Sequence, residues 1–194
     1  MKSALTTILS LLFLAQFSFA SIPASIVSGN SNSTVGRNEE KIQTIRWEKQ
    51  GITFTLPPDW RKDDSLSQEG EKRNDFFTVS SLVWRGPRSQ RIEFNIETGE
   101  KDFPVPAREM LEKDYDNNRS GATPVEELRY LDIGGIRGLY YRIPNGDKEQ
   151  VNDYWLTYRH HKGKAQSIVI NLVGPRKETE LLMTILKSIK LEQD

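Results

Sequence analysis

SIVINLVGPRKETELLMTILKSIKL, residues 167–191, makes the clearest structural statement in the chain. Ile168, Ile170 and Leu172 alternate with Ser167, Val169 and Asn171, the period-two pattern of a strand with one strongly apolar face. Gly174-Pro175 interrupts it, and a proline suits the first turn of a helix, where its missing N–H has no partner to lose. Leu181, Leu182, Ile185, Leu186 and Ile189 then recur at helical spacing and make one apolar stripe. Glu178 and Glu180 fall near the positive N-terminal end of that helix, Lys187 and Lys190 near its negative C-terminal end. A strand followed by such a helix needs a sheet to lie on.

The upstream sequence supplies one. Residues 42–47 and 52–56 read as strands joined at Lys49-Gln50-Gly51, with Ile52, Phe54 and Leu56 on one face. Pro57-Pro58 ends the second, since neither proline can donate to a ladder. Residues 61–74 are charged and without apolar period, which predicts a surface loop. A second hairpin spans 76–84 and 91–97, turning at Arg85-Gly86-Pro87-Arg88; its second strand alternates Ile92, Phe94 and Ile96 with Glu93, Asn95 and Glu97. Residues 104–118 form the other helix, with Ala107, Met110, Leu111 and Tyr115 as its stripe. Strands follow at 126–133, 137–143 and 150–160. They turn at Gly134-Gly135 and at Pro144-Asn145-Gly146-Asp147, the latter carrying the Asn-Gly hairpin signal. Lys162-Gly163-Lys164 turns into the last strand. This order predicts an α+β domain, a mostly antiparallel sheet of about seven strands sandwiched by helices.

Among the 194 residues Lys+Arg and Asp+Glu both number 27, so no global field draws the chain to nucleic acid or anionic lipid. There is no cysteine, which excludes disulfides, thiolate metal sites, cysteine nucleophiles and lipid attachment through cysteine. Residues 1–20 combine Lys2, an apolar run from Leu5 to Leu14 and Ser18-Phe19-Ala20. That is the pattern of a secretory signal cut between Ala20 and Ser21, too short to span a membrane. Residues 21–40, rich in Ser, Asn and Gly, read as a flexible tether, and 41–194 as a single domain. The sequons at Asn32 and Asn118 matter only in a eukaryotic secretory pathway.

Local motifs carry little chemistry. His160-His161 would point to opposite faces of a strand, next to Arg159 and Lys162, and read as a solvated turn rather than a metal site. Asp114, Asp116 and Asn118 match the first ligands of a calcium loop, but Arg119 stands where glycine is needed and Val125 where the bidentate glutamate belongs. Gly134-Gly135-Ile136-Arg137-Gly138 has the wrong glycine spacing for a dinucleotide fingerprint. Asp63-Asp64 and Glu126-Glu127 are adjacent carboxylates explained by a solvated surface. No nucleophile elbow, zinc helix or phosphate loop occurs. Trp47, Trp60, Trp84 and Trp155, with Tyr140, Tyr141, Tyr154 and Tyr158, read mainly as core and sheet packing. Where aromatics meet arginine at a sheet end, at Trp84, Arg85, Arg88 and Arg137, a binding surface is expected, because these residue types concentrate at interface hot spots.

Gly51-Ile-Thr-Phe-Thr-Leu-Pro-Pro-Asp-Trp60, a central helix, Ile133-Gly134-Gly135 turning into Gly138-Leu-Tyr-Tyr141, and a final strand leading to Ile185-Leu186-Lys187-Ser188-Ile189 together resemble PsbP and the bacterial PsbP-like and DcrB-like envelope proteins. The resemblance covers residues 46–191 and rests on packing and turn patterns. It implies an α-β-α sandwich and a non-enzymatic accessory role; PsbP itself binds photosystem II and helps retain its inorganic cofactors. One simple leader and no acylatable cysteine imply a soluble exported relative, periplasmic or secreted. The expected function is therefore a monomeric accessory module, without cofactor, that presents a surface to a protein partner in the envelope or a membrane complex. The alternatives are a hydrolytic enzyme with a site assembled across loops, which leaves no local motif, and a purely structural envelope protein.

Overall fold

The computed structural model describes residues 42–72, 77–99, 107–118, 124–145 and 149–194. The leader with its Ala20–Ser21 cut, the tether over 21–40, the sequons at Asn32 and across 119–120, and the Gly146-Asp147 tip of one hairpin lie outside the described residues.

In chain order the strands are β1 (Gln43–Trp47), β2 (Ile52–Leu56), β3 (Arg61–Lys62), β4 (Gln68–Lys72), β5 (Phe77–Arg85) and β6 (Arg91–Gly99). Helix α1 (Ala107–Asn118) is followed by β7 (Glu127–Ile133), β8 (Ile136–Asn145), β9 (Gln150–His161) and β10 (Lys164–Pro175). Helix α2 (Thr179–Lys187) and β11 (Lys190–Leu191) close the chain. All pairings are antiparallel. They form two sheets, a three-stranded one in the order β1-β2-β11 and an eight-stranded one in the order β3-β5-β6-β10-β9-β8-β7, with β4 also paired to β5.

The alternation of β6 and β10 sets the layers. Phe94 pairs with Ile170 and Ile96 with Ile168. Together with Trp155 and Tyr140 they make one apolar face, covered by Phe54 and Leu56 of the small sheet and by Leu182, Ile185 and Leu186 of α2. Each of these three α2 side chains contributes at most about 1.5–3 kcal/mol by leaving water. The other face holds a smaller cluster, in which Leu111 and Tyr115 of α1 meet Leu139, Tyr141 and Leu156. Tyr141 stacks on Tyr154 at 4.9 Å and takes Tyr115 edge-on at 5.1 Å.

Four expectations change. The 61–74 stretch is not simply a loop: β3 and β4 pair with β5, although β4 is exposed along its whole length. The first hairpin does not extend the main sheet but lies over it, closed by β11. The helices cover the main sheet only in part, because the layer on the first face is shared between α2 and the small sheet. Finally, β10 runs through Gly174 and Pro175, where a terminal proline loses no needed ladder bond, and α2 begins only after a 3-10 turn at Arg176–Glu178. Ile189 is buried, but beyond the end of α2.

His160-His161 corrects another reading. His160 is exposed, whereas His161 is 5 % exposed and its Nε2 is buried without a hydrogen-bond partner among the described residues. Its ring lies on Gly51, where a Cβ would sit 2.5 Å from the ring Cε1. Burial, then the Arg159 and Lys162 charges, holds its pKa below 6.5, opposed by Asp194 and Glu192. The unfolded chain therefore takes up a proton more readily than the folded one. The neutral ring's contribution is present above about pH 6.5 and is lost as pH falls through that value towards the folded pKa. Melting temperature measured from pH 7.5 to 5.5 is expected to fall more steeply for the natural chain than for His161→Gln; parallel curves would refute this.

Candidate functional site

Two concavities open among the described residues: one of about 490 Å³, lined by Arg46, Glu48, Ile52, Thr53, Lys190 and Glu192, and a groove of about 320 Å³ between the two sheets, which holds Trp84. Ile45, Arg46 and Trp47 of β1 form one wall, Lys62 of β3 and Ser67, Gln68 and Glu69 the other, and Ser81, Leu82 and Trp84 of β5 contribute the remainder. Two edges meet there: β1 is the end strand of its sheet, and β3 and β4 sit on the outer side of β5.

Local sequence builds each wall. The β4–β5 register shifts between Gln68 and Glu71, and Gly70 takes φ +62°, so a bulge re-aims Glu69. Its Oε1 accepts the Trp47 indole N–H at 2.7 Å, and Lys49 Nζ reaches Oε2 at 3.1 Å. These bonds, the indole first, hold the Glu69 carboxyl below its usual range. Ser80 Oγ accepts from Gln50 and from the Gly70 N–H, fastening β4 and the first hairpin to β5. Asp63 accepts from Ser65 and, at 2.5 Å, from Arg85 Nε, which keeps its carboxyl low. Ser67 Oγ donates to Asp63 and accepts from Val83 N–H, closing the loop between β3 and β4.

Two polar groups in the groove remain unmatched. The Trp84 indole Nε1 is buried and has no hydrogen-bond partner among the described residues. Arg46 is exposed and faces no carboxylate within ion-pair distance among the described residues, while Lys62 pairs with Asp64 at 2.7 Å in an exposed contact. The groove thus combines apolar floor, unmatched donor and cationic rim, a composition suited to binding.

The structure brings three of the four sequence-predicted residues to one end of the main sheet. Trp84 lines the groove. Arg85 beside it is engaged by Asp63. Arg88, in the β5–β6 turn at φ +54°, pairs with Glu178 at 2.5 Å, and Gln90 also donates to Glu178, so the turn clamps the start of α2. Arg137 is elsewhere, at the start of β8, with three strands (β6, β10 and β9) between it and β5 and at the opposite end of the strands, its guanidinium 5.1 Å over the Tyr130 ring. Sequence reading missed Arg46, Lys62 and Glu69, which carry no motif. The Gln68-Glu69-Gly70 run next to a strand was the available cue to a bulge.

A second polar constellation, also missed, lies in the core. Asp153, 1 % exposed, accepts the Tyr140 hydroxyl at 2.9 Å and Arg142 through Nε at 2.6 Å and Nη2 at 2.9 Å. Its carboxylate raises the Arg142 pKa, and burial, reinforced by Asp153, raises that of Tyr140. Both changes make proton transfer near neutrality harder, so the trio is built for structure rather than acid–base work. Arg159 is similar: it binds Gln166, the Gln50 carbonyl, and Glu192 O at 2.9 Å, and burial lowers its pKa to about 10. No cluster of three or more metal-ligating side chains occurs among the described residues, and none of their helices is long and apolar enough to cross a membrane.

No family model matches the sequence, and no curated protein matches it significantly. Solved structures do. Cyanobacterial PsbP (CyanoP) from Synechocystis sp. PCC 6803 is 17% identical over 83% of this chain and 98% of its own, at a TM-score of 0.51. LpqN, involved in cell envelope biogenesis of Mycobacterium tuberculosis, is 13% identical over 79% and 92%, at 0.45. The Ran-binding protein Mog1p of Saccharomyces cerevisiae is 12% identical over 80% and 97%, at 0.44. The described domain has a PsbP-like fold.

Proposed function

We propose that this chain is an exported, non-enzymatic accessory module that docks an envelope or membrane-complex protein through the groove at Trp84. The observation that carries the reading is the groove itself, with Trp84 and Trp47 in its walls, a buried indole donor that finds no acceptor among the described residues, and Arg46 exposed at the rim. Likeness to CyanoP supplies the fold, and the resemblance to PsbP-like proteins supplies the accessory role. Export rests on the leader at residues 1–20.

The test is immunoprecipitation of the full chain from its native envelope fraction after gentle crosslinking, read by mass spectrometry. One dominant partner is expected. Its yield should fall about tenfold in Trp84→Ala, a loss typical of an aromatic anchor, and stay unchanged in Arg137→Ala, which lies at the far end of the sheet. Thermal melts check that both variants are folded. Absence of any partner above background, or equal loss in both variants, would overturn the reading.

A further inference from the structure

The chemistry of the groove goes further than the existence of a partner, and the inference below rests on the accessory reading. We infer that the groove receives an extended, acidic peptide segment of the partner, which adds as a strand to the free edge of β1 and sets a carboxylate between Arg46 and Lys62.

The backbone argues for a strand. β1 pairs with β2 on one side, and among the described residues no strand pairs with its other side. Three consecutive residues, Ile45, Arg46 and Trp47, line the groove, so the strand's edge borders it as well as one face. An unpaired edge presents backbone N–H and C=O groups ready for a ladder, and strand addition is a recurrent mode of peptide recognition. The opposite wall is poorly suited to close this gap. β4 is bulged, and Glu69 holds it through side chains, to Trp47 Nε1 of β1 and to Lys49 Nζ in the turn after β1, rather than through main chain. The space between the two edges therefore remains a groove.

The side chains argue for acidity. Glu69, the one carboxylate in the lining, is already matched by the Trp47 indole and Lys49. Among the described residues Arg46 has no carboxylate within ion-pair distance, and Lys62 has the exposed Asp64 alone. A peptide carboxylate on the groove side meets Arg46 and Lys62, with Glu48 and Glu192 lining the other side of Arg46, whereas a basic peptide meets both cations unfavourably. Alternation in an added strand places every second residue on one face. An acidic residue over Arg46 thus sets apolar neighbours toward Ile45, Leu82 and Trp84. A carbonyl or carboxylate of the incoming chain gives the Trp84 N–H the acceptor it lacks.

A random dodecapeptide library displayed against the immobilised full chain tests the inference. Selected peptides are expected to alternate apolar with Asp or Glu. The chosen peptide should lose about tenfold or more in affinity for Arg46→Glu, as reversing a rim charge implies. It should also lose binding when the backbone nitrogens facing β1 are N-methylated, and should protect the amides of residues 44–47 from hydrogen exchange. Enrichment of basic peptides, no enrichment, undiminished binding to Arg46→Glu or tolerance of N-methylation would each overturn it. If the native partner is still captured by the Arg46→Glu chain, the groove inference falls while the accessory reading stands. If no partner is captured by the natural chain, the accessory reading itself falls.

Discussion

Asp153→Ala is expected to destabilise the domain by about 3–5 kcal/mol, the cost of stripping the partner from a buried ion pair. Asp153 is almost completely out of water and accepts three hydrogen bonds, two from Arg142 in fork geometry and one from Tyr140. Removing it leaves the largely buried Arg142 guanidinium, among the described residues, with Glu127 alone, 3.8 Å away and itself partly exposed. It also leaves a fully buried Tyr140 hydroxyl without its acceptor. The loss has an electrostatic and a hydrogen-bonding part. Asp153→Asn separates them, because an amide oxygen can still accept the Tyr140 hydroxyl's hydrogen bond but cannot neutralise Arg142. Asp153→Asn should therefore fall between the natural chain and Asp153→Ala. The paired change Asp153→Leu with Arg142→Met should lose less than Asp153→Ala, since an apolar pair has no charge to desolvate. Urea unfolding at constant m-value measures all three. A loss for Asp153→Ala below about 1 kcal/mol, within the range of an exposed pair, would show that water reaches the site.

Patterning made the central sheet legible. The alternations of residues 91–97 and 167–172 place Ile92, Phe94, Ile96, Ile168, Ile170 and Leu172 on one buried face, where the structure has them. Turn chemistry was equally readable at Arg85-Gly86-Pro87-Arg88 and at Lys162-Gly163, because local backbone demands fix those residues. What the sequence hid is everything decided by long-range pairing. β3 and β4 have no apolar period because both are exposed, and they exist only because β5 offers them an edge. β11 is two residues long, a strand only through Thr53 and Ile52. Burial of His161 depends on Gly51, more than a hundred positions away, leaving room for a ring. The groove follows the same rule. Trp84 and Arg85 were visible as an aromatic–arginine pair. The placing of Arg46 and Lys62 around Trp84 depends on one sheet lying over another.

Gly138→Ala should be strongly destabilising, because the site lacks space rather than conformational freedom. A Cβ there would lie 2.5 Å from Trp155 Nε1 and 2.6 Å from the Leu156 carbonyl oxygen. The indole cannot simply step aside: it is fully buried, and its N–H donates to Leu131 O at 2.9 Å. Nor can the carbonyl, which belongs to the β9 backbone next to β8. Overpacking of this kind costs about 1–3 kcal/mol, occasionally more; with rigid backbone on one side, the upper end is expected. For a domain of this size that lowers the melting temperature by roughly 2–4 °C per kcal/mol. Gly163→Ala is the informative contrast. Gly163 sits at φ +69° with nothing within 4 Å of its missing Cβ, so only backbone strain opposes the methyl group, at about 1 kcal/mol. The ordering of the two variants therefore separates packing from conformation. Combining Gly138→Ala with Trp155→Phe, which removes the indole nitrogen ring edge, should recover part of the loss if the clash is the cause, a coupling that a double-mutant cycle reads directly. Equal melting temperatures for Gly138→Ala and Gly163→Ala, or strict additivity with Trp155→Phe, would mean that β8 and β9 yield more readily than so closely packed a strand pair should.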